Sequence, residues 1–257
     1  MKLIVFATLL AVGTYLGYTI VEEPGSQLFG KTVTSGPSDA REIALTFDDG
    51  PNPPYTDRIL DVLRAEHIHA TFFVVGRAAE AYPSTLRRIA REGHAIGNHT
   101  WDHPHLLVQT RQAVDAELRR TDDAIFRITG MRTWLMRPPF GARDFAVLDE
   151  AKTLGYTAVM WSVPLPNDWE QPGDATIARR IIDNVHDGAI IVLHDGNRGI
   201  VCEPRRETAH LCDRAQDVAA TREIVDRLKA EGYRFVTVPQ LLADSVDTTR
   251  TVARSTR

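Results

Sequence analysis

Short apolar runs and stretches of helical periodicity take turns along most of this chain. The first run, residues 42–47 (EIALTF), predicts a strand. A brief apolar run that ends in turn residues suits a buried strand rather than a helix. Residues 55–68 follow, with Ile59, Leu60 and Leu63 on one helical face. The alternation then continues. Strands are expected at 70–76, 94–99, 133–139, 156–163, 189–195 and 233–238, and helices at 83–93, 112–130, 143–155, 175–188 and 217–232. Gly93 and Gly130 stand at helix ends, where a residue able to turn left-handed is wanted. About seven strands alternating with helices imply an α/β fold, a parallel sheet covered by helices. A closed barrel and an open doubly wound sheet both fit. No Gly-x-Gly-x-x-Gly follows the first strand, so a dinucleotide site has no support.

The N-terminus breaks the pattern. Residues 3–21 (LIVFATLLAVGTYLGYTIV) carry no charge, and Lys2 precedes them while Glu22 and Glu23 follow. At about 1.5 Å per residue, such a run comes close to a hydrocarbon core of roughly 30 Å. The flanking charges favour a cytoplasmic N-terminus. Residues 1–22 are therefore expected to be a signal anchor or a signal peptide. The anchor is preferred, because no Ala-x-Ala cleavage site follows. The rest of the chain is then extracytoplasmic, held to the membrane by the N-terminal helix or secreted. Residues 23–40, with Gly, Ser and Pro, read as a linker. Residues 41–242 form the expected catalytic domain, and 243–257 a polar tail.

Composition narrows the partners. The 257 residues are 43% hydrophobic and 25% charged, with a net charge of -4, which is ordinary for a globular protein. No nucleic-acid partner is expected, since that would favour a basic patch. Arg87, Arg88 and Arg91 have the spacing of a solvated helix face. Cys202 and Cys212 lie ten residues apart and are candidates for a disulfide in an exported chain, with two free thiols as the alternative. Oligomeric state is not legible in the sequence.

The polar residues cluster at the ends of the expected strands, in DDGP, NHTWDH, RPPFG, NDW and HDG. Strand ends are where parallel α/β folds place their chemistry. His99 and His103 are spaced i, i+4, on one helical face, as two ligands of one metal require. Two surface histidines on a turn are the alternative. The zinc-peptidase pattern HExxH has a glutamate base inside it, and Thr100 occupies that place here. A third ligand and a base must come from elsewhere. Asp48 and Asp49 can supply both, one binding the metal and one accepting a proton; a simple Asp-Gly-Pro turn is the bland reading. His194 ends an apolar strand, either as a structural residue or as a general acid. Arg137 ends another and is placed to steer a carboxylate. Asp168 and Trp169 follow in the next strand-end loop. His67, His69, His94, His105, His186 and His210 show no pattern and read as surface or loop residues.

In this order, TFDDGP, HTWDHP, RPPF, DW and LHD resemble the motifs of the polysaccharide deacetylases, the NodB-homology domain of carbohydrate esterase family four. The resemblance covers roughly residues 40–242. It implies a distorted (β/α) barrel with about seven parallel strands, preceded by the hydrophobic N-terminal helix. It implies one divalent metal, usually Zn2+, on Asp49, His99 and His103. Asp48 would be the general base, oriented by Arg137, and the Phe140 backbone N–H would hold the oxyanion. Trp169 would form part of the acetyl pocket, and Asp168 would tune His194, the general acid. Two places depart from the family pattern. Pro164 stands where an Asp is common, with one extra residue before Asp168, and Val192 replaces the usual Leu two residues before the histidine. The implied activity is removal of N-acetyl groups from an extracytoplasmic polysaccharide such as peptidoglycan or a chitin oligomer. An O-acetyl esterase on a xylan-like glycan and a non-catalytic glycan-binding relative are the alternatives.

Overall fold

The computed structural model describes residues 23–202 and 207–243. The expected N-terminal helix and the polar tail beyond 243 lie outside the described residues. Among the described residues no helix is long and apolar enough to cross a membrane.

Seven strands share one parallel sheet: β1 (Glu42–Asp48), β2 (Thr71–Val74), β3 (Ala95–Asn98), β4 (Leu135–Met136), β5 (Thr157–Ala158), β6 (Ile190–His194) and β7 (Arg234–Phe235). Their order is β5-β4-β3-β2-β1-β6, and β7 pairs with β1 at Glu42 and Ile43. The helices are α1 (Tyr55–Ala65), α2 (Gly76–Ala81), α3 (Pro83–Arg91), α4 (Arg111–Thr129), α5 (Phe145–Thr153), α6 (Asp174–Ile182) and α7 (Ala215–Ala230). Every residue of β1 is buried, as a parallel strand covered on both faces requires. Alternation sorts its side chains. Ile43, Leu45 and Phe47 pack with Leu60, Ile89 and Ile224 of the surrounding helices. Ala44 packs on the other face with Phe73, Trp161 and Val192. Burying a side chain of this size contributes roughly 1.5–3 kcal/mol. The same alternation sends Thr46 and Asp48 to the Ala44 side.

The two ends of the sheet are joined without a ladder between β5 and β6. The Ser162 N–H donates to the Ile190 carbonyl (3.1 Å), and the Gly36 N–H donates to the Gly188 carbonyl (2.8 Å). Val33 bridges Val159, and Ser35 bridges Ala189. Part of the segment read as a linker therefore lies across the seam, where it satisfies backbone groups that would otherwise be unpaired. The buried Arg143 pins its start, donating through Nη2 to the carbonyls of Glu23 (2.7 Å), Pro24 (3.2 Å) and Ser26 (2.7 Å).

Two differences from the sequence reading have plain causes. β4 covers only Leu135–Met136 of the expected 133–139, because Pro138 and Pro139 have no N–H to give a ladder. α2 has only six residues, GRAAEA, too short and too poor in large apolar residues to show a period.

Candidate active site

Asp48 closes β1, and Asp49 is the first residue beyond it. Asp49 has φ 77°, the left-handed region that few residues other than glycine adopt. That turn brings a carboxylate that strict alternation would point away back towards the same centre. The chain can turn this tightly because Gly50 and Gly196 lack side chains. A Cβ on Gly50 would lie 2.1 Å from Asp195 Oδ2, and one on Gly196 would lie 2.3 Å from the Asp49 carbonyl oxygen.

His99 and His103 follow β3, but no helix presents them. Residues 99–103 form a loop, with Thr100 at φ 65° and His103 at φ 56°. The i, i+4 spacing works here because the loop is tied on every side. Glu117 Oε2 accepts from the N–H groups of Trp101 (2.8 Å) and Asp102 (2.9 Å). Asn98 Oδ1 accepts from the Thr100 N–H, and Thr100 Oγ1 from the His103 N–H. These short-range polar ties outweigh helical geometry.

Asp49, His99 and His103 converge, with one ligand atom of each within 4.8 Å of the others. Asp49 Oδ1 lies 3.1 Å from His103 Nε2 and 3.5 Å from His99 Nε2. It is buried and accepts no hydrogen bond of normal geometry. Asp49 Oδ2 accepts from the Arg198 N–H (2.7 Å). Burial alone would raise the Asp49 pKa, but the facing His103 and His99 rings outweigh it and hold the carboxyl well below its ordinary range. His99 Nδ1 is 2.7 Å from the Arg137 carbonyl, a contact that puts the hydrogen on Nδ1 and leaves the Nε2 lone pair facing Asp49. An orphaned carboxylate oxygen beside two imidazole nitrogens, all buried, fits a divalent metal with three protein ligands.

Asp48 is held separately. Its Oδ1 accepts from Arg137 Nη1 (2.7 Å), and its Oδ2 is 3.9 Å from His99 Nε2. Arg137 is fully buried and also donates to Thr46 Oγ1, Val159 O and Met160 O. Thr46 is a partner that the sequence reading missed, with no motif to mark it beyond its place two residues before Asp48.

His194 ends β6. Its Nδ1 lies 2.9 Å from Asp168 Oδ1, and its backbone N–H donates to Asp168 Oδ2 (2.7 Å). Burial alone would lower its pKa; the Asp168 carboxylate, with Asp49 and Asp48 behind it, raises it to about 9. Trp169 is half exposed, perpendicular to the His194 ring at 5.5 Å. Phe140 (φ 61°) is also partly exposed, its ring edge on His103 at 4.7 Å. His105 stacks on Phe140 at 5.4 Å, so it belongs to the surroundings of the site rather than to a patternless surface. Val192 is buried in the core beside Trp161. Asp195, part of the LHD motif but given no role there, is buried and accepts from Thr56 Oγ1 (2.5 Å). Burial first, then the charges of Asp49 and Asp48, push its carboxyl up to about 7.

A cavity of about 680 Å3 opens beside Phe140, lined also by Trp161, Ser162, Asn167, Thr34 and Glu23. Cys202 and Cys212 form a disulfide with Cα atoms 6.0 Å apart. Leu211 and Cys212 are tied to the segments that follow β1 and β6, since Asn52 Nδ2 donates to the Cys212 carbonyl and Asn197 Nδ2 to the Leu211 carbonyl.

Comparison with known proteins gives this geometry a setting. A family model described as polysaccharide deacetylase matches residues 35–159. The chain is 37% identical over 207 residues to a peptidoglycan-N-acetylglucosamine deacetylase of Bacillus cereus, covering 80% of this chain and 90% of that protein. It is 38% identical over 203 residues to a chitooligosaccharide deacetylase of Azorhizobium caulinodans, covering 77% and 92%. A crystal structure of a peptidoglycan N-acetylglucosamine deacetylase bound to an N-oxidanyl-benzamide superposes with a TM-score of 0.73 at 33% identity, covering 82% of this chain and 92% of that one.

Proposed function

The chain belongs to the polysaccharide deacetylase family, and from that premise we propose that it removes N-acetyl groups from an extracytoplasmic aminoglycan such as peptidoglycan or a chitin oligomer. The observation that carries this reading is the orphaned Asp49 oxygen beside His99 and His103, with a second carboxylate, Asp48, 3.9 Å from the same His99 nitrogen. In this reading Asp49, His99 and His103 hold one divalent metal, most often zinc for such a donor set. When bound, it supplies Lewis-acid polarisation of the acetyl carbonyl and acidifies water.

The rest is done by side chains. Asp48 accepts the proton of the attacking water. Arg137 holds its other oxygen, which fixes the carboxylate's angle and leaves Oδ2 free for that proton. The Phe140 N–H supports the oxyanion, a contribution often worth about 3 kcal/mol per donor. The Asp168 carboxylate facing Nδ1 favours the protonated ring of His194. That ring delivers a proton to the departing amine, which is otherwise a poor leaving group. Trp169 lines the acetyl pocket. The sheet is read as a distorted (β/α) barrel, and the catalytic domain acts outside the cytoplasm, tethered or released by its N-terminal segment.

The test is acetate release across a glycan panel: peptidoglycan, chitin oligomers and acetylated xylan, each with native protein and with His194→Ala. Release from the two aminoglycans, lowered about 100-fold or more by His194→Ala, is expected for an amidase that needs its acid. Release from xylan alone, barely affected by His194→Ala, would overturn the amidase reading, because an ester leaving group needs little protonation. Binding of glycan with no acetate released would point to a non-catalytic relative.

A further inference from the structure

Asp217 is the third residue of α7. It is fully buried, as is Asp168. If both were ionised, neither Asp217 oxygen would have a hydrogen-bond partner. The two side chains nevertheless meet within hydrogen-bonding reach. Asp217 does not cap its helix, whose N-cap position is Arg214 and which carries no side-chain cap. The first turn of α7 is instead devoted to the Asp168 loop. The neighbouring Gln216 donates through Nε2 to the Asp168 carbonyl (2.8 Å) and accepts through Oε1 from the Gly173 N–H (2.9 Å).

We infer that Asp217 is a positioning residue for the proton donor: its carboxyl O–H donates to the Asp168 carboxylate and so fixes the group that holds His194. The inference rests on the reading of His194 as general acid and carries it one residue further, into a row His194–Asp168–Asp217. Two buried carboxylates in contact cannot both ionise. Asp168 keeps the charge, because it accepts the His194 N–H and faces the His194 ring. Asp217 keeps the proton. Burial first, and then the Asp168 charge, push its carboxyl up to about 9. Arg214 and His194 oppose that shift, and the Arg214 guanidinium is turned to the Gly196 carbonyl (2.7 Å). As a neutral acid, Asp217 gives one of its two buried oxygens a partner and removes one of the directions in which Asp168 is free to swing.

Difference infrared spectra at neutral pH, together with kinetics, test this. The wild type should show the C=O stretch of a protonated carboxyl that Asp217→Asn removes and Asp195→Asn leaves in part. Asp217→Asn, an isosteric donor, should keep kcat within about threefold. Asp217→Leu, which packs but cannot donate, should lower kcat about tenfold or more with KM within about twofold and no fall in Tm. A purely structural role would lower Tm and leave that kcat-against-KM split unmoved. The inference is overturned if the wild type lacks the band, if Asp217→Leu keeps wild-type kcat, or if Asp217→Asn is as impaired as Asp217→Leu. Should the wild type release no acetate, the functional reading fails, while the infrared comparison still decides where the proton sits. Should Asp217→Leu fail to fold, the same spectra and Asp217→Asn decide it.

Discussion

Asp49, Thr100, His103 and Phe140 all have positive φ, and all four lie within or against the candidate metal site. Each such conformation costs of order 1–3 kcal/mol and persists only where the surroundings over-determine it. Here the surroundings are polar and specific: the Arg198 N–H on Asp49, Glu117 under Trp101 and Asp102, Asn98 under Thr100. Arg137 is the strongest case. It meets Asp48, Thr46 and two backbone carbonyls with no exposure to water. Its removal leaves Asp48 buried without a counter-charge. Arg137→Met should therefore destabilise the fold by about 3–5 kcal/mol in urea unfolding, or lose acetate release as Asp48 loses the partner that orients it. Arg137→Lys should recover only part of this, since one ammonium cannot reach acceptors arranged for a planar fork. A Met variant with native stability and native turnover would contradict this account of Asp48.

At the scale of elements, the side chains that pack were easiest to read. β1, α1 and α4 lie within a few residues of their expected bounds because their apolar periods are long and clean. The short strands β4 and β5 were over-extended, since the apolar residues beside them (Trp161, Val163) belong to loops that are buried for other reasons. The site was legible as residue types at strand ends. Its shape was not: nothing in HTWDH says that the loop, rather than a helix, brings the two imidazoles together, because Glu117 and Asn98 act from other elements. Asp217 was invisible for the same reason. It sits at an unremarkable position of a helix, and its partner is far away in the chain.

His94, expected on the surface, shows what pattern alone misses. It is buried between β2 and α3, and its Nδ1 accepts the Ala70 N–H (3.1 Å). Burial, with His69 adding, lowers its pKa from 6.5 to about 4. The folded state thus binds this proton more weakly than the unfolded chain does. The stability it contributes is fully present above about 6.5 and is lost as pH falls through that value towards about 4, by up to about 3 kcal/mol. His94→Asn, whose Oδ1 can accept the same N–H without titrating, should lose less Tm between pH 7 and pH 4.5 than the wild type. An equal loss in the two proteins would refute this.

For the whole molecule, the parallel sheet is the device that gathers the chemistry. The carboxyl ends of β1, β3, β4 and β6 open at the same end, so Asp48, Asp49, His99, His103, Arg137 and His194 meet although they span most of the sheet. The seam that would otherwise divide β5 from β6 is crossed by residues 33–36, which also bring Thr34 to the wall of the cavity beside Phe140, while Arg143 holds Glu23 on the same wall. The account's central claim is a division of labour between adjacent aspartates, Asp49 to the metal and Asp48 to the proton. Asp48→Asn, purified without metal and titrated with zinc while acetate release is followed, tests it most directly. The prediction is one zinc bound per chain, with affinity within about tenfold of wild type and turnover lowered about 1,000-fold or more, while chelated wild type regains activity on adding zinc. An Asp48→Asn protein that still turns over, or wild-type activity that survives chelation, would contradict it.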